Sequence, residues 1–277
     1  MKDIRCVWPK SHLGYWMSPE YIPKLATVII TSYQRADYLI KTADSVFKQK
    51  YRPIELIIID DGSNDDTKSQ IEKWSHSLPK DDKFVLIFRY QENLGAPSAR
   101  NHALALSSGE FIQEVGSDDL LHPEKISLSI NELNKHTNCQ SVWSPLKRFT
   151  DIEESSLFEN TELNQNFFAI KRDSNLFEPE FLPSAALHRR NVFYQTGPWL
   201  ESLKRWQDLE YQTRMAFSVD EYISIPTPLY FFRQHTGYRI NTLYKEKNGI
   251  KPGFLALSAI ENTLSKLQHK DEKVKES

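Results

Sequence analysis

Four times between residues 25 and 136 a short apolar run gives way to a stretch with helical spacing. The runs are LATVIIT (25–31), IELIIID (54–60), FVLIFRY (84–90) and GEFIQEV (109–115). They are mostly continuous rather than alternating, the pattern of strands covered on both faces. Between them, ADYLIKTADSVFKQ sets Leu39, Ala43, Val46 and Phe47 on one helical face. NDDTKSQIEKW opens with acids that suit a helix N-terminus, and PSARNHALAL has Pro97 near its first turn. HPEKISLSINELNKH completes the series. Strand and helix alternating at about thirty residues per unit require βαβ units, right-handed crossovers and a mainly parallel sheet. The fold class is therefore α/β, with helices on a Rossmann-like central sheet. Ligands of such sheets lie outside the carboxyl ends of the strands. Thr31 to Tyr33, Asp60 with Asp61, and Asp118 with Asp119 all fall at such ends.

The rest of the chain is less regular. Residues 1–24 carry three prolines and no clear period, and read as an irregular arm. SVWSPLKRF (141–149) reads as one strand, PSAALHRRNVFYQTG as a strand and helix, WQDLEYQTRMAF as a helix, and EYISIP and PLYFFRQH as strands. A last helix, within 253–277, places Leu257, Ile260, Leu264 and Leu267 at helical spacing ahead of a lysine-bearing tail. It fits docking on the core or peripheral contact with a membrane surface. The expected division is one domain over 25–252, split into a ligand half (25–135) and a second half (136–252).

A net charge of −2 gives no global field for nucleic acid. Cys6 and Cys139 lack metal spacing and read as free thiols, which fits a reducing, cytoplasmic compartment. The N-terminus has no apolar leader, and no run approaches the roughly 20 apolar residues of a membrane span. The first strand is followed by TSYQRADY, which holds neither a dinucleotide fingerprint nor a phosphate loop. Adjacent acids at a strand end suit a divalent cation such as Mg²⁺ or Mn²⁺, which takes oxygen ligands.

Three segments together, VIITSYQRADYLIKTADSVFKQKYRPIELIIIDDGSNDDT, NLGAPSARNHALALSSGEFI and GSDDLLHPEKI, resemble the family 2 glycosyltransferases of GT-A fold. The resemblance is dense over about 25–135 and continues at LHRRNVF, WQDLEYQTRMA and YFFRQHTG. It implies a nucleotide-sugar donor, usually a UDP-sugar, a divalent metal, and transfer with inversion to a saccharide or lipid-linked saccharide acceptor, as in bacterial polysaccharide synthesis. By the same resemblance Thr31, Tyr33 and Asp61 hold the nucleobase, with Asp61 accepting from the uracil N3–H. Arg35 flanks the base or phosphates, and Arg100, in the first turns of its helix, suits phosphate or ribose oxygens of the donor. Asp118 contacts the donor sugar or ribose, Asp119 binds the metal, and His235 lies near metal or diphosphate. Asp208 is the expected base, with Glu210 next. Arg233 is a further phosphate candidate, and His188, Arg189 and Arg190 are candidates for the acceptor side.

Each assignment has a plainer alternative. Asp60 and Asp61 suit a turn bonding its own backbone. Asp118 suits a cap for the helix after Pro123, with Asp119 in a surface pair. Asp208 suits a helix N-terminus. Trp199 and Trp206 suit either sugar stacking or the core. Two positions depart from the family pattern: Gly116 and Gln207 stand where acids are common. They keep open a non-catalytic sugar-nucleotide scaffold. A nucleotidyltransferase is disfavoured by the glycine-free loop after the first strand.

Overall fold

The structure, a computed structural model, describes residues 17–158, 161, 163, 168–171, 183–216, 218–234, 257–262 and 265. In chain order the elements are β1 (Ile22–Ser32), α1 (Ala36–Phe47), β2 (Ile54–Asp60), α2 (Thr67–Ser77), β3 (Phe84–Tyr90), α3 (Ala96–Leu106) and β4 (Gly109–Gly116). Then come β5 (Leu120–Leu121), α4 (Lys125–Lys135), β6 (Ser141–Trp143), β7 (Leu146–Phe149) and β8 (Phe168–Lys171). β9 (Ala186–Arg189), α5 (Arg190–Thr196), α6 (Gln207–Ala216), β10 (Glu221–Ser224) and β11 (Tyr230–Arg233) follow.

The main sheet has eight strands in the order β3-β2-β1-β4-β9-β6-β10-β8. β3, β2, β1 and β4 are mutually parallel, and β9 joins β4 antiparallel. The expected α/β class with a mainly parallel central sheet holds. The continuous apolar runs follow from burial on both faces. Val28, Ile30, Leu56 and Ile58 pack with α1, α2 and α4, while Ile29, Ile57 and Ile59 pack with α3, α5 and α6. β1 lies between β2 and β4, so the direction of winding reverses beside it and a crevice opens at its carboxyl end. There Thr31 pairs with Gly116, and Ser32 with Asp60.

Three boundaries differ from the sequence reading. β1 begins at Ile22, inside the expected arm, because the Ile22 amide bonds Ser108 O at 2.8 Å, and Met17 is buried in the core. SVWSPLKRF is two strands in different sheets. Its break falls at Ser144 and Pro145, and proline has no N–H to carry a ladder onward. Leu120–Leu121, too short to register as a strand in the sequence, joins β11 and β7 in a second sheet of order β5-β11-β7. That small sheet meets the end of β4 at the acid pair. Of the last helix, residues 257–262 and 265 are described and helical, with Leu257 exposed. Among the described residues no helix is long and apolar enough to cross a membrane.

Candidate functional site

Three loops frame the crevice. At the end of β1 Thr31 is half-buried, and just after the strand Tyr33 is exposed (42%). After β2, Asp60 Oδ1 accepts from the Ser63 amide at 3.1 Å and closes the turn, as its alternative reading implies. Asp61 does something else. Its Oδ1 accepts from Gln91 Nε2 at 2.8 Å and from the Leu94 amide at 3.0 Å, and its Oδ2 accepts from the Gly95 amide at 2.9 Å. So the β2 acid fixes the loop entering α3. Gly95, which precedes that helix, has φ 98°, a left-handed conformation that glycine adopts without a Cβ penalty.

α3 carries Arg100 in its first turns. The guanidinium lies 4.3 Å from the Trp199 ring centre, and Trp199 stacks on Tyr211 of α6 at 3.8 Å. Trp199 is therefore core, and the same loop is pinned to α3 by Asn101. Asn101 Nδ2 donates to Trp199 O at 3.0 Å and to Glu201 Oε1 at 2.7 Å, while the Trp199 amide donates to Asn101 Oδ1 at 2.8 Å. Glu114 of β4 lies on this side of the sheet, and the sequence reading missed it. Burial pushes its carboxyl up to about 7, with Arg100 and the Trp199 indole N–H pulling the other way. The signal was there, since an acid inside the otherwise buried GEFIQEV strand is costly unless held neutral or paired.

The loop then leads to α6. Trp206, at its entrance, is 43% exposed with φ 55°, while Asp208 in the first turn is exposed. Glu210 is not available as a base. It is buried and grips Arg214 with both oxygens, Nε at 2.7 Å and Nη2 at 2.8 Å.

At the end of β4 the two acids part. Asp119 is 4% exposed and both its oxygens are engaged: Oδ2 accepts from Tyr230 Oη at 2.5 Å, and Oδ1 from the Arg233 amide at 2.9 Å. Burial first, and Asp118 next, raise its pKa to about 7. Asp119 thus joins β4 to β11, which does not fit the expected role of metal ligand or the alternative of a surface pair. Asp118 is half-buried, and its Oδ2 faces Arg35 Nη1 at 3.5 Å. It does not cap α4, whose first turn lacks a side-chain cap. Gly116 is explained here. A Cβ on it would lie 2.5 Å from Asp119 Oδ2, and its amide donates to Tyr230 Oη at 3.1 Å. The position is taken up by the Asp119–Tyr230 contact.

Other expected residues have structural duties. Arg233 is buried and pairs with Asp151 and Glu154. His188 Nδ1 meets Ser141 Oγ at 2.6 Å within the sheet. Arg189 bonds Cys139 O and Leu133 O, and Arg190 bonds Ser18 O, Ser107 and Gly109 O. In each case the bonds named go to neighbouring strands, helices and loops. His235 lies outside the described residues.

Among the described residues no three His, Cys, Asp or Glu side chains converge as a metal cage. A single half-buried carboxylate does fit a hard cation carried mainly by substrate phosphates, the usual manner for Mg²⁺.

The model of the family described as glycosyl transferase family 2 matches residues 27–197. An uncharacterized glycosyltransferase of Rickettsia typhi is 33% identical over 192 residues, which are 67% of this chain and 57% of that protein. The chain thus spans little more than half of that relative's length. Among solved structures, Staphylococcus aureus TarS (1–349) in complex with UDP-GlcNAc superposes with TM-score 0.63 at 20% identity, covering 78% of this chain and 60% of that one. The mannosyltransferase PcManGT from Pyrobaculum calidifontis, in complex with GDP-Man and Mn²⁺, superposes with TM-score 0.55 at 19% identity, covering 81% and 61%. These two likenesses carry the fold.

Proposed function

The chain belongs to glycosyl transferase family 2, and from that premise we propose that it moves a sugar from a UDP-sugar to a hydroxyl of a saccharide or lipid-linked saccharide, with inversion. The observation that carries this is the meeting of Tyr33, Asp61 and Asp118 at the carboxyl ends of three parallel strands. The exposed Tyr33 ring offers a face to the base. A carboxylate has about four acceptor positions, and Asp61 uses three of them on its own loop. The remaining one, on Oδ2, suits a uracil N3–H and disfavours cytosine, whose N3 carries no proton.

Asp118, rather than Asp119, is the carboxylate with room for a cation, and Arg35 beside it suits the phosphates or base. A Mg²⁺ or Mn²⁺ held there would stabilise charge on the departing diphosphate. Arg100, at the start of α3, offers its guanidinium to donor oxygens. Asp208 is the base. It is exposed in the first turn of α6, just after the loop that Asn101 ties to α3. It takes the proton from the acceptor hydroxyl, whose oxygen attacks the anomeric carbon as the bond to the nucleoside diphosphate breaks on the opposite face.

The test is calorimetric titration of UDP, with CDP and GDP as controls, in Mn²⁺, Mg²⁺ or EDTA. Binding that prefers UDP and weakens in EDTA is expected. Failure to bind any nucleotide would overturn this reading and the sugar-nucleotide scaffold alike, the second of which Gln207 in place of an acid keeps alive. Asp208→Asn separates the two, because a catalyst loses turnover while keeping UDP.

A further inference from the structure

β11 ends in Arg233, whose side chain is 1% exposed. Burying a guanidinium is costly unless every face finds a partner. Here Nε, Nη1 and the ring contacts find partners in four parts of the chain. Nε donates to Asp118 O at 2.8 Å, and the backbone N–H of the same residue donates to Asp119 Oδ1 at 2.9 Å. Nη1 donates to Glu154 Oε2 at 2.8 Å and to Asp151 Oδ1. The rings of Phe149 and Tyr38 lie 4.5 Å and 5.0 Å from the guanidinium carbon. The two acids are in turn held by α1: Tyr38 Oη donates to Asp151 Oδ2 at 3.4 Å, and Lys41 Nζ to Glu154 Oε2 at 2.9 Å. α1 follows directly on Arg35, which faces Asp118 Oδ2 at 3.5 Å. The network therefore closes on itself, from Asp118 through Arg233, Asp151 and the first turns of α1 back to Asp118.

We infer that Arg233 is a positioning residue for sugar transfer, fixing the Asp118 carboxylate through the peptide group of Asp118 while touching neither donor nor acceptor. Its two bonds, to the carbonyl of one residue and the carboxylate of the next, pin the peptide plane from which the Asp118 side chain departs. The Nε and Nη1 hydrogens project from one rigid plane, so a single arginine reaches the carbonyl and the acids at a set angle. A lysine, a point charge on a flexible stem, serves one side only. The inference rests on the reading of Asp118 as the metal and diphosphate carboxylate.

The test compares Arg233→Lys with the unaltered chain by thermal melting and by UDP calorimetry with Mn²⁺ and with EDTA. The expected result is a folded variant with unchanged UDP affinity in EDTA. The affinity gained on adding Mn²⁺ should fall about tenfold, the low end for residues that orient a metal ligand. In assays with donor, kcat should fall more than donor KM rises. A folded Arg233→Lys that keeps the full Mn²⁺ gain overturns the inference. If that variant does not fold, Asp151→Asn with Glu154→Gln loosens the clamp from its outer side. A smaller Mn²⁺ gain is then expected, and an unchanged gain overturns the inference. The site reading is checked separately with Asp118→Asn. Should that variant keep the full Mn²⁺ gain, or should the unaltered chain show none, the reading of Asp118 falls and the inference falls with it.

Discussion

Two Asp-Asp pairs end two parallel strands, Asp60–Asp61 on β2 and Asp118–Asp119 on β4, and they are used differently. Both carboxylates of the first pair serve the loops around them, Asp60 bonding Ser63 and Asp61 bonding Gln91, Leu94 and Gly95. In the second pair the labour divides. Asp119 is sealed between β4 and β11, whereas Asp118 stays half-buried against Arg35. The difference lies in what later chain segments supply. Where amide and hydroxyl donors arrive from another strand, the acid becomes a brace. The same count applies to Asp61, where three loop donors leave one acceptor position, and to Asp118, whose half-buried carboxylate faces Arg35.

The sharpest way to break this contrast is to remove each member of the β4 pair in turn. Asp118→Asn should lower kcat by roughly 10²–10³-fold, the scale of losing one charge-stabilising group, with the melting temperature near that of the unaltered chain. Asp119→Ala should do the reverse in kind. It leaves Tyr230 Oη and the Arg233 amide without their buried acceptor, a loss of about 3 kcal/mol in urea denaturation. If Asp118→Asn unfolds the chain, or Asp119→Ala leaves its stability intact, the division of labour is wrong.

A third acid sharpens the comparison by being buried without a brace of Asp119's kind. Glu114 has its pKa raised from 4.5 to about 7 by burial. In the intervening range the folded state binds more protons than the unfolded one, so stability falls as pH rises. The contribution is full below 4.5 and is lost as pH climbs through about 7. Glu114→Gln, which cannot ionise, should gain about 3 kcal/mol on the unaltered chain between pH 4.5 and pH 8. Equal pH profiles in denaturant titrations would show that the carboxyl is not desolvated.

The smallest effect concerns Gly116. Gly116→Asp restores the acid common in the family pattern, yet its Cβ meets Asp119 Oδ2 at 2.5 Å. We expect a loss of about 1 kcal/mol from overpacking and no gain in Mn²⁺-dependent UDP affinity. A tighter metal response in calorimetry would mean that the Asp119–Tyr230 contact yields easily.

The sequence by itself determined the α/β class, the parallel order of units and the strand ends at which the proposed site lies. Those follow from local facts: strands covered on both faces must be apolar throughout, and each is trailed by its own helix. The same local reading placed Asp61 and Asp118 at strand ends, and the family resemblance added Arg100 and Asp208. What each of them touches was settled only by tertiary structure. Glu210 and Asp208 sit two residues apart on one helix; the Glu210–Arg214 pair is local, but it is the packing of α5, where Thr196 O accepts from Arg214 Nη1 at 2.8 Å, that buries it while Asp208 stays exposed. Asp119 and Asp118 are adjacent, and the strand that tells them apart lies more than a hundred residues further along. Trp199 and Trp206 are divided in the same way, one stacked on Tyr211 and the other exposed. Hydrogen bonds and burial depend on neighbours brought by the fold, and for these pairs the deciding neighbours come from distant strands and helices that local spacing does not name.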